Sequence, residues 1–334
     1  MGLFSFLGKK NNSISEDFIE LCESGTVKQI RQAIKAGADV NSIVRFGCIE
    51  LMALMKAAGH NENPEVCKVL IEAGANVNTR TKDGSTALMM AAEFNENPEV
   101  CKVLIEAGAD INATMRDGLT ALITAANYNK NPEVFYLLLD FNATVDVRCR
   151  SLSGPRTTGL SYSIGCNCKP RVVSMFIEAG ADVNARDDIN RTVLMQAVCD
   201  TNNPTILSLL IKAGADVNAR TEDGWTPLMF ASYKSNRDII SLLIEAGADV
   251  NAQTQRGLTA LMWASQNNQD PDVICCLLKS GADPNLKDDN DKTACDYLRD
   301  NVSLQKCHAY ELLMKLFSGN ISEVSKPSES TTPD

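Results

Sequence analysis

Histidine is almost missing from this sequence: His60 and His308 are the two in 334 residues. A Ser-His-Asp or Cys-His catalytic centre, or a metal site built on imidazoles, therefore has little to draw on. Basic residues are outnumbered, with 32 Lys and Arg against 42 Asp and Glu, and the net charge of −10 opposes any grip on phosphate backbones or anionic headgroups. No nucleic-acid partner is expected. No apolar run approaches the roughly 18 residues that mark a membrane-spanning helix, so no transmembrane segment is expected either. Aromatics make up only 5% of the chain, which makes any local concentration of them informative.

The first ten residues, MGLFSFLGKK, fail three tests in turn. A secretory signal places its basic residues before a longer apolar run, whereas Lys9 and Lys10 follow a short one. A myristoylation signal wants Ser or Thr at the sixth position, where Phe6 stands. A phosphate-binding loop wants four residues between its glycines and a final Ser or Thr, and Gly2 and Gly8 enclose five. Residues 1–14 are read as a flexible leader. The 12 cysteines are scattered, several inside apolar helical patterns, and without a signal peptide they read as reduced thiols. A cytoplasmic location follows as an expectation.

What is present is repetition. NENPEVCKVLIEAGA occupies residues 61–75 and again, unchanged, residues 95–109, an offset of 34. AGADVN or a variant of it places glycine at Gly37, Gly74, Gly108, Gly180, Gly214, Gly247 and Gly281, with Asn142 filling the gap. The successive spacings are 37, 34, 34, 38, 34, 33 and 34, the signature of a stacked array rather than of separate globular domains. Asn63, Asn97, Asn131 and Asn203 each precede a proline, a helix cap followed by the one helical position that tolerates proline. Apolar residues then recur at helical spacing up to the glycine, which suits a left-handed helix end. Asn142 fits as the next residue most willing to adopt that conformation. A second helix lies upstream of each, opening with Thr86-Ala87-Leu88-Met89, Thr120-Ala121-Leu122-Ile123, Thr226-Pro227-Leu228-Met229 or Thr259-Ala260-Leu261-Met262. Before it comes a turn such as Lys82-Asp83-Gly84 or Glu222-Asp223-Gly224.

Turn, short helix, loop and longer helix in this order resemble the ankyrin repeat, whose motif joins a DxxG turn, TPLHxAA and a helix ending GADVNA. Thr226-Pro227-Leu228 matches it directly, while elsewhere Ala replaces Pro and Met the usual His. The resemblance covers about residues 15–317 and implies an all-α solenoid of about eight to nine helix-turn-helix repeats with short β-hairpin or turn fingers. Residues 15–43, with one clear long helix, are expected to cap the array at one end and 288–317 at the other. Residues 318–334, polar and rich in Ser and Thr, are expected to be disordered. The implied function is non-enzymatic: a scaffold that binds a protein partner through its concave face, with no cofactor and as a monomer.

Several features compete with that reading. GLSYS at 159–163 approaches a GxSxG nucleophile elbow, with Ser161 in the nucleophile's place, but lacks the last glycine. Cys166 and Cys168, with Cys199 in the next repeat, leave a thiol-based metal or redox site open, though CxC is a weak signal. A self-associating structural array is a further alternative. Two fingers are longer than the rest, and the longer, 146–158, carries Arg148, Arg150 and Arg156, either a contact for an acidic partner or a tolerated insertion. In register, the positions that the family leaves free of core packing hold Phe94, Leu119, Tyr128, Arg191, Trp225, Tyr233 and Leu258, and these are the expected partner-binding residues. No catalytic or metal residues are assigned.

The register generates one stability prediction. Gly108→Val is expected to cost roughly 1–2 kcal/mol through the strained backbone, and Asn142→Gly to be neutral or slightly stabilising. Thermal melts check it, and equal melting temperatures for Gly108→Val and wild type would contradict the register.

Overall fold

A computed structural model describes residues 11–46, 49–150, 154–167, 169–234, 236–267 and 270–301, together with 310, 314 and 315. The chain divides into two compact units, residues 1–182 and 183–334. In the first, helices α1 (Asn11–Ser24) and α2 (Val27–Lys35) are followed by hairpin β1 (Ile43–Phe46) and β2 (Ile49–Met52). Next come the pairs α3 (Ala53–His60) with α4 (Pro64–Glu72), α5 (Ala87–Phe94) with α6 (Pro98–Glu106), and α7 (Ala121–Tyr128) with α8 (Glu133–Asp140). Hairpin β3 (Arg148–Arg150) and β4 (Arg156–Thr158) then leads into α9 (Gly159–Asn167) and α10 (Pro170–Glu178). The second unit holds α11 (Val193–Asp200) with α12 (Pro204–Lys212), α13 (Pro227–Lys234) with α14 (Arg237–Glu245), α15 (Ala260–Asn267) with α16 (Pro271–Lys279), and α17 (Ala294–Asp300).

Within each unit first helices pack on first helices, α1 on α3, α5, α7 and α9 in turn, and α11 on α13, α15 and α17. Second helices form a parallel layer, α2 to α4, α6 and α8 in one unit and α12 to α14 and α16 in the other. The core lies between the layers: Leu70, Leu104 and Leu138 are fully buried at one register, and Leu88 and Leu122 at another. Each such side chain contributes about 1.5–3 kcal/mol of apolar burial. Small residues at Ala57, Ala58, Ala91 and Ala92, all fully buried, let successive first helices approach closely.

Helix starts follow the local chemistry. Thr86, Thr120 and Thr192 accept the backbone N–H of Met89, Ile123 and Met195, while Asn63, Asn97 and Asn203 cap the proline-led helices. Helix ends are equally regular, with φ of 88° at Gly108 and 61° at Asn142. A Cβ at Gly108 would meet nothing within 4 Å, so a substitution there meets backbone strain alone. The segment 15–43 departs from expectation. Its single long helix is two helices, and the second starts at a capping box in which Gln29 N donates to Thr26 Oγ1 and Thr26 N to Gln29 Oε1. Helix α1 also begins at Asn11, inside the expected leader. The rest of that leader, most of the expected final cap beyond Asn301 and the tail 318–334 lie outside the described residues.

Two asparagine ladders tie one repeat to the next. At the end of the first helix, Asn95 Nδ2 donates to Ala58 O and Asn61 O, both at 2.9 Å, and Asn129 Nδ2 to Ala92 O and Asn95 O at 3.0 and 2.9 Å. Asn95 Oδ1 accepts Asn97 N at 3.0 Å, and Asn97 Oδ1 accepts Glu99 N at 3.0 Å, so one loop supplies both the ladder and the next helix cap. At the fingers' base, Asn41, Asn78, Asn184, Asn218 and Asn251 donate to the carbonyls of Gly74, Gly108, Gly214, Gly247 and Gly281. The same side chains accept a backbone N–H from the following repeat, as Asn78 does from Asp110 at 2.8 Å. The fingers pack tightly too: Arg150 N donates to Asp117 O at 2.6 Å, and a Cβ on Gly118 would fall 2.6 Å from Arg148 O, so only glycine fits.

One rung of the second ladder is acidic. Asp146 accepts Asp182 N through both carboxylate oxygens but has no amide to donate. Desolvation, and then the nearby Asp182 carboxylate, hold its pKa above the ordinary carboxylate range. A native group with a raised pKa binds its proton more readily than the unfolded chain does, so stability falls as pH rises through that pKa. Asp146→Asn is therefore expected to stabilise the chain at pH 7 by about 1 kcal/mol or less, given the site's exposure, through one restored hydrogen bond. The gain should shrink as pH falls through that raised pKa, where Asp146 itself takes up a proton it can donate. Melting temperature against pH checks it, and a lower melting temperature for the variant at pH 7 would contradict it.

Candidate protein-interaction face

On a first helix, residues four and eight places after the opening threonine share one face, and the residue seven places after lies beside them. In the first unit this face carries His60 and Phe94, whose rings stack at 5.5 Å with 27° between their planes. Tyr128 follows at the equivalent position, its hydroxyl 3.3 Å from that of Tyr162. Phe94 and Tyr128 are each 49% exposed, whereas Tyr162 is buried. Beside them runs a groove of about 490 Å³ floored by Leu51, Met55 and Met90 and edged by Glu50, Lys82 and Arg116. Lys82 Nζ pairs with Glu50 at 3.6 Å across that edge.

In the second unit the finger residue Trp225 lies over the face. Its ring is 4.5 Å from Trp263 and 4.9 Å from Phe230, tilted by 34° and 32°. Tyr233 meets Trp263 edge-on at 6.0 Å and is 49% exposed. Trp225, Trp263 and Leu258 line a groove of about 400 Å³ with Asp223 and Arg256. The Trp263 Nε1–H is buried with no acceptor among the described residues.

Of the seven expected partner-binding residues, Phe94, Tyr128 and Tyr233 stand exposed on first-helix ends, and Trp225 and Leu258 line a groove half-buried. Two are placed otherwise. Leu119 is 7% exposed and packs into the core, because its finger lies close under the next one. Arg191 folds back on its own turn, Nε donating to Asp187 Oδ2 at 2.9 Å, with Asp187 Oδ1 accepting Arg191 N and Ile189 N. Phe230, Trp263 and His60 join the face unforeseen. The signal was available, since Phe230 and Trp263 each stand four places after the helix's threonine, one turn before the positions singled out.

The competing chemistry finds less support. Ser161 is 2% exposed inside the stack, whereas a nucleophile elbow presents its hydroxyl at a surface. Burial pushes the thiols of Cys22, Cys67 and Cys101 up to about 12, so at neutral pH they remain protonated core residues. Cys166 is half-exposed in the first unit and Cys199 in the second, while Cys168 lies outside the described residues. Among the described residues no three His, Cys, Asp or Glu side chains gather as a metal-binding group. None of the described helices is long and apolar enough to cross a membrane.

Sequence families described as ankyrin repeats in three copies match residues 18–115 and 194–288, more than half of the chain, and ankyrin repeats in many copies match 93–139. The chain belongs to the ankyrin repeat family. Ankyrin repeats generally act as protein–protein interaction modules and are typically non-enzymatic. A search of curated proteins finds no match.

The two second-unit aromatics in the expected set differ in what they hold. Trp225→Ala, which removes two ring contacts, is expected to cost about 1–3 kcal/mol of stability, and Tyr233→Ala less than about 1 kcal/mol. Urea denaturation of the two variants checks the order, and equal or inverted losses would contradict the packing described.

Proposed function

We propose that this ankyrin repeat chain binds a partner protein on the fingers and first-helix ends of its units, each unit with its own aromatic anchor. One observation carries the reading. Five large hydrophobic side chains among the described residues are exposed, Ile43, Phe94, Tyr128, Ile189 and Tyr233, and every one lies on a finger or a first-helix end. Among the described residues, the second helices expose none. Scattered exposed apolar residues need no explanation, but confinement to fingers and first-helix ends does. Tyr and Phe are suited to the role because they bury large area with few rotors to freeze, and aromatic residues are enriched at interface cores.

The test begins with capture of partners from the native cell and their identification by mass spectrometry, followed by titration calorimetry with the purified partner. Phe94→Ala with Tyr128→Ala, and separately Tyr233→Ala, are expected to weaken binding by about 1–3 kcal/mol each, about 5-fold to 150-fold, with helical signal and melting temperature little changed. Full affinity in both variants would overturn the assignment. Lost affinity accompanied by a large fall in melting temperature would instead mean that these rings shield the core.

A further inference from the structure

The groove of the first unit lies where two fingers are joined by a side chain rather than by their backbones. Later fingers of that unit meet directly, Arg116 N donating to Asp83 O at 2.8 Å and Arg150 N to Asp117 O. Between hairpin β1–β2 and the next finger, Lys82 N donates instead to the Glu50 carboxylate at 3.1 Å. The space beside that junction, about 490 Å³, is floored by Leu51, Met55 and Met90. Methionine, unbranched and with three rotatable bonds, adapts to apolar side chains of varied shape. Met90 stands one helical turn before Phe94 on α5, which sets the groove beside the first unit's aromatic anchor.

Charges on the rim cancel in number, Glu50 and Asp83 against Lys82 and Arg116, so what selects a ligand is which of them still has bonds to make. Glu50 is spent: its side chain is 8% exposed, one oxygen accepts Lys82 N and the other faces Lys82 Nζ at 3.6 Å. Asp83 is spent as well, since Oδ1 accepts Thr81 Oγ1 and Ser85 N while Oδ2 accepts Ser85 Oγ at 3.1 Å. Arg116 differs. It is exposed, and among the described residues its guanidinium has no partner, although its backbone N–H is bound. A basic ligand finds both carboxylates occupied, whereas an acidic one finds a free fork that a carboxylate accepts bidentately. Apolar floor and guanidinium edge together call for an apolar side chain and a carboxylate carried close together. The net charge of −10 disfavours long polyanions and anionic bilayers, which would meet the rest of the surface as well, and leaves a short segment as the fitting ligand.

We propose that this groove, given the protein-binding reading of the first unit's face on which this rests, takes a partner segment with a large apolar residue within about three positions of an Asp or Glu. The apolar side chain lies on Met90 and the carboxylate on Arg116. The test selects a random octapeptide library on the immobilised full chain, then measures a fluorescein-labelled copy of the most enriched peptide by anisotropy. Wild type is expected to enrich sequences that join Leu, Met, Ile or Phe to a nearby Asp or Glu. Arg116→Glu is expected to weaken that peptide at least about tenfold without lowering the melting temperature, and to enrich Lys and Arg when the selection is repeated. Arg116→Lys, which keeps the charge but not the fork, is expected to weaken it about threefold, and Met90→Ser at least about threefold. Lys28→Glu, the same kind of charge reversal on α2, and Tyr233→Ala in the other unit are expected to stay within about twofold. No enrichment by wild type, enrichment without an acidic residue, or full affinity in Arg116→Glu would overturn the proposal. So would tighter binding of phosphatidylserine vesicles or a single-stranded RNA decamer through Arg116. A captured partner lost by Phe94→Ala with Tyr128→Ala but indifferent to Arg116→Glu would remove this ligand and leave the interaction face standing.

Discussion

Asparagine side-chain amides carry the connection between repeats, and the rest of the structure depends on them. Helix pairs of this size bury too little apolar surface to stand alone, so each needs a neighbour held at a fixed distance and height. Apolar packing supplies most of the attraction but little of the register, because one leucine slot resembles the next. The amide of Asn95 removes that ambiguity: its two N–H groups reach two carbonyls of the preceding repeat while its oxygen fixes its own loop. A buried amide displaced by one residue would leave those groups unpaired, at about 1–3 kcal/mol each. The Asn-x-Asn-Pro phrase is thus both the clamp to the previous repeat and the cap of the next helix, which accounts for its verbatim return at 61 and 95.

The periodic elements were legible in the sequence because their signals are local. Proline after asparagine starts a helix, glycine or Asn142 ends one, and threonine starts the other, and each acts within one helical turn. The finger residues were harder to read, for a reason visible at Leu119 and Arg191. Whether a finger side chain is exposed depends on how closely the next finger lies and on which turn carboxylate is in reach, and neither is written in the residue itself. The break between α1 and α2 is a different case: Gly25 after the first helix and the Thr26 and Gln29 pair mark the new start, and both are written in the sequence. The aromatic face was half legible. Phe94, Tyr128 and Tyr233 came from their register, while Phe230 and Trp263 stand one turn earlier on first helices, next to the buried Ala231 and Ala264, where the sequence suggests core.

The two units use aromatic residues differently. In the second, Trp225, Phe230 and Trp263 form a contiguous cluster in which the finger ring is braced by two helix rings, so part of the apolar area is already spent on folding. In the first, Phe94 leans on His60 and Tyr128 reaches Tyr162 through its hydroxyl, leaving about half of each ring uncovered. The first arrangement offers separate anchors on a shallow groove, the second a stiff wall with a single projecting tyrosine.

The first ladder has a consequence for how such a chain can change length. Asn129 bonds to the carbonyl of Asn95, and Asn95 to that of Asn61, so every rung reads the same backbone groups of an equivalent predecessor. Excision or duplication of a whole period leaves each amide facing the partners it had before, whereas loss of a few residues strands two buried carbonyls and an amide together. Whole-repeat steps therefore leave the ladder intact, while the spacings of 37 and 38 place their extra residues in the fingers, away from it, and copies as alike as 61–75 and 95–109 are what a whole-unit step would leave behind.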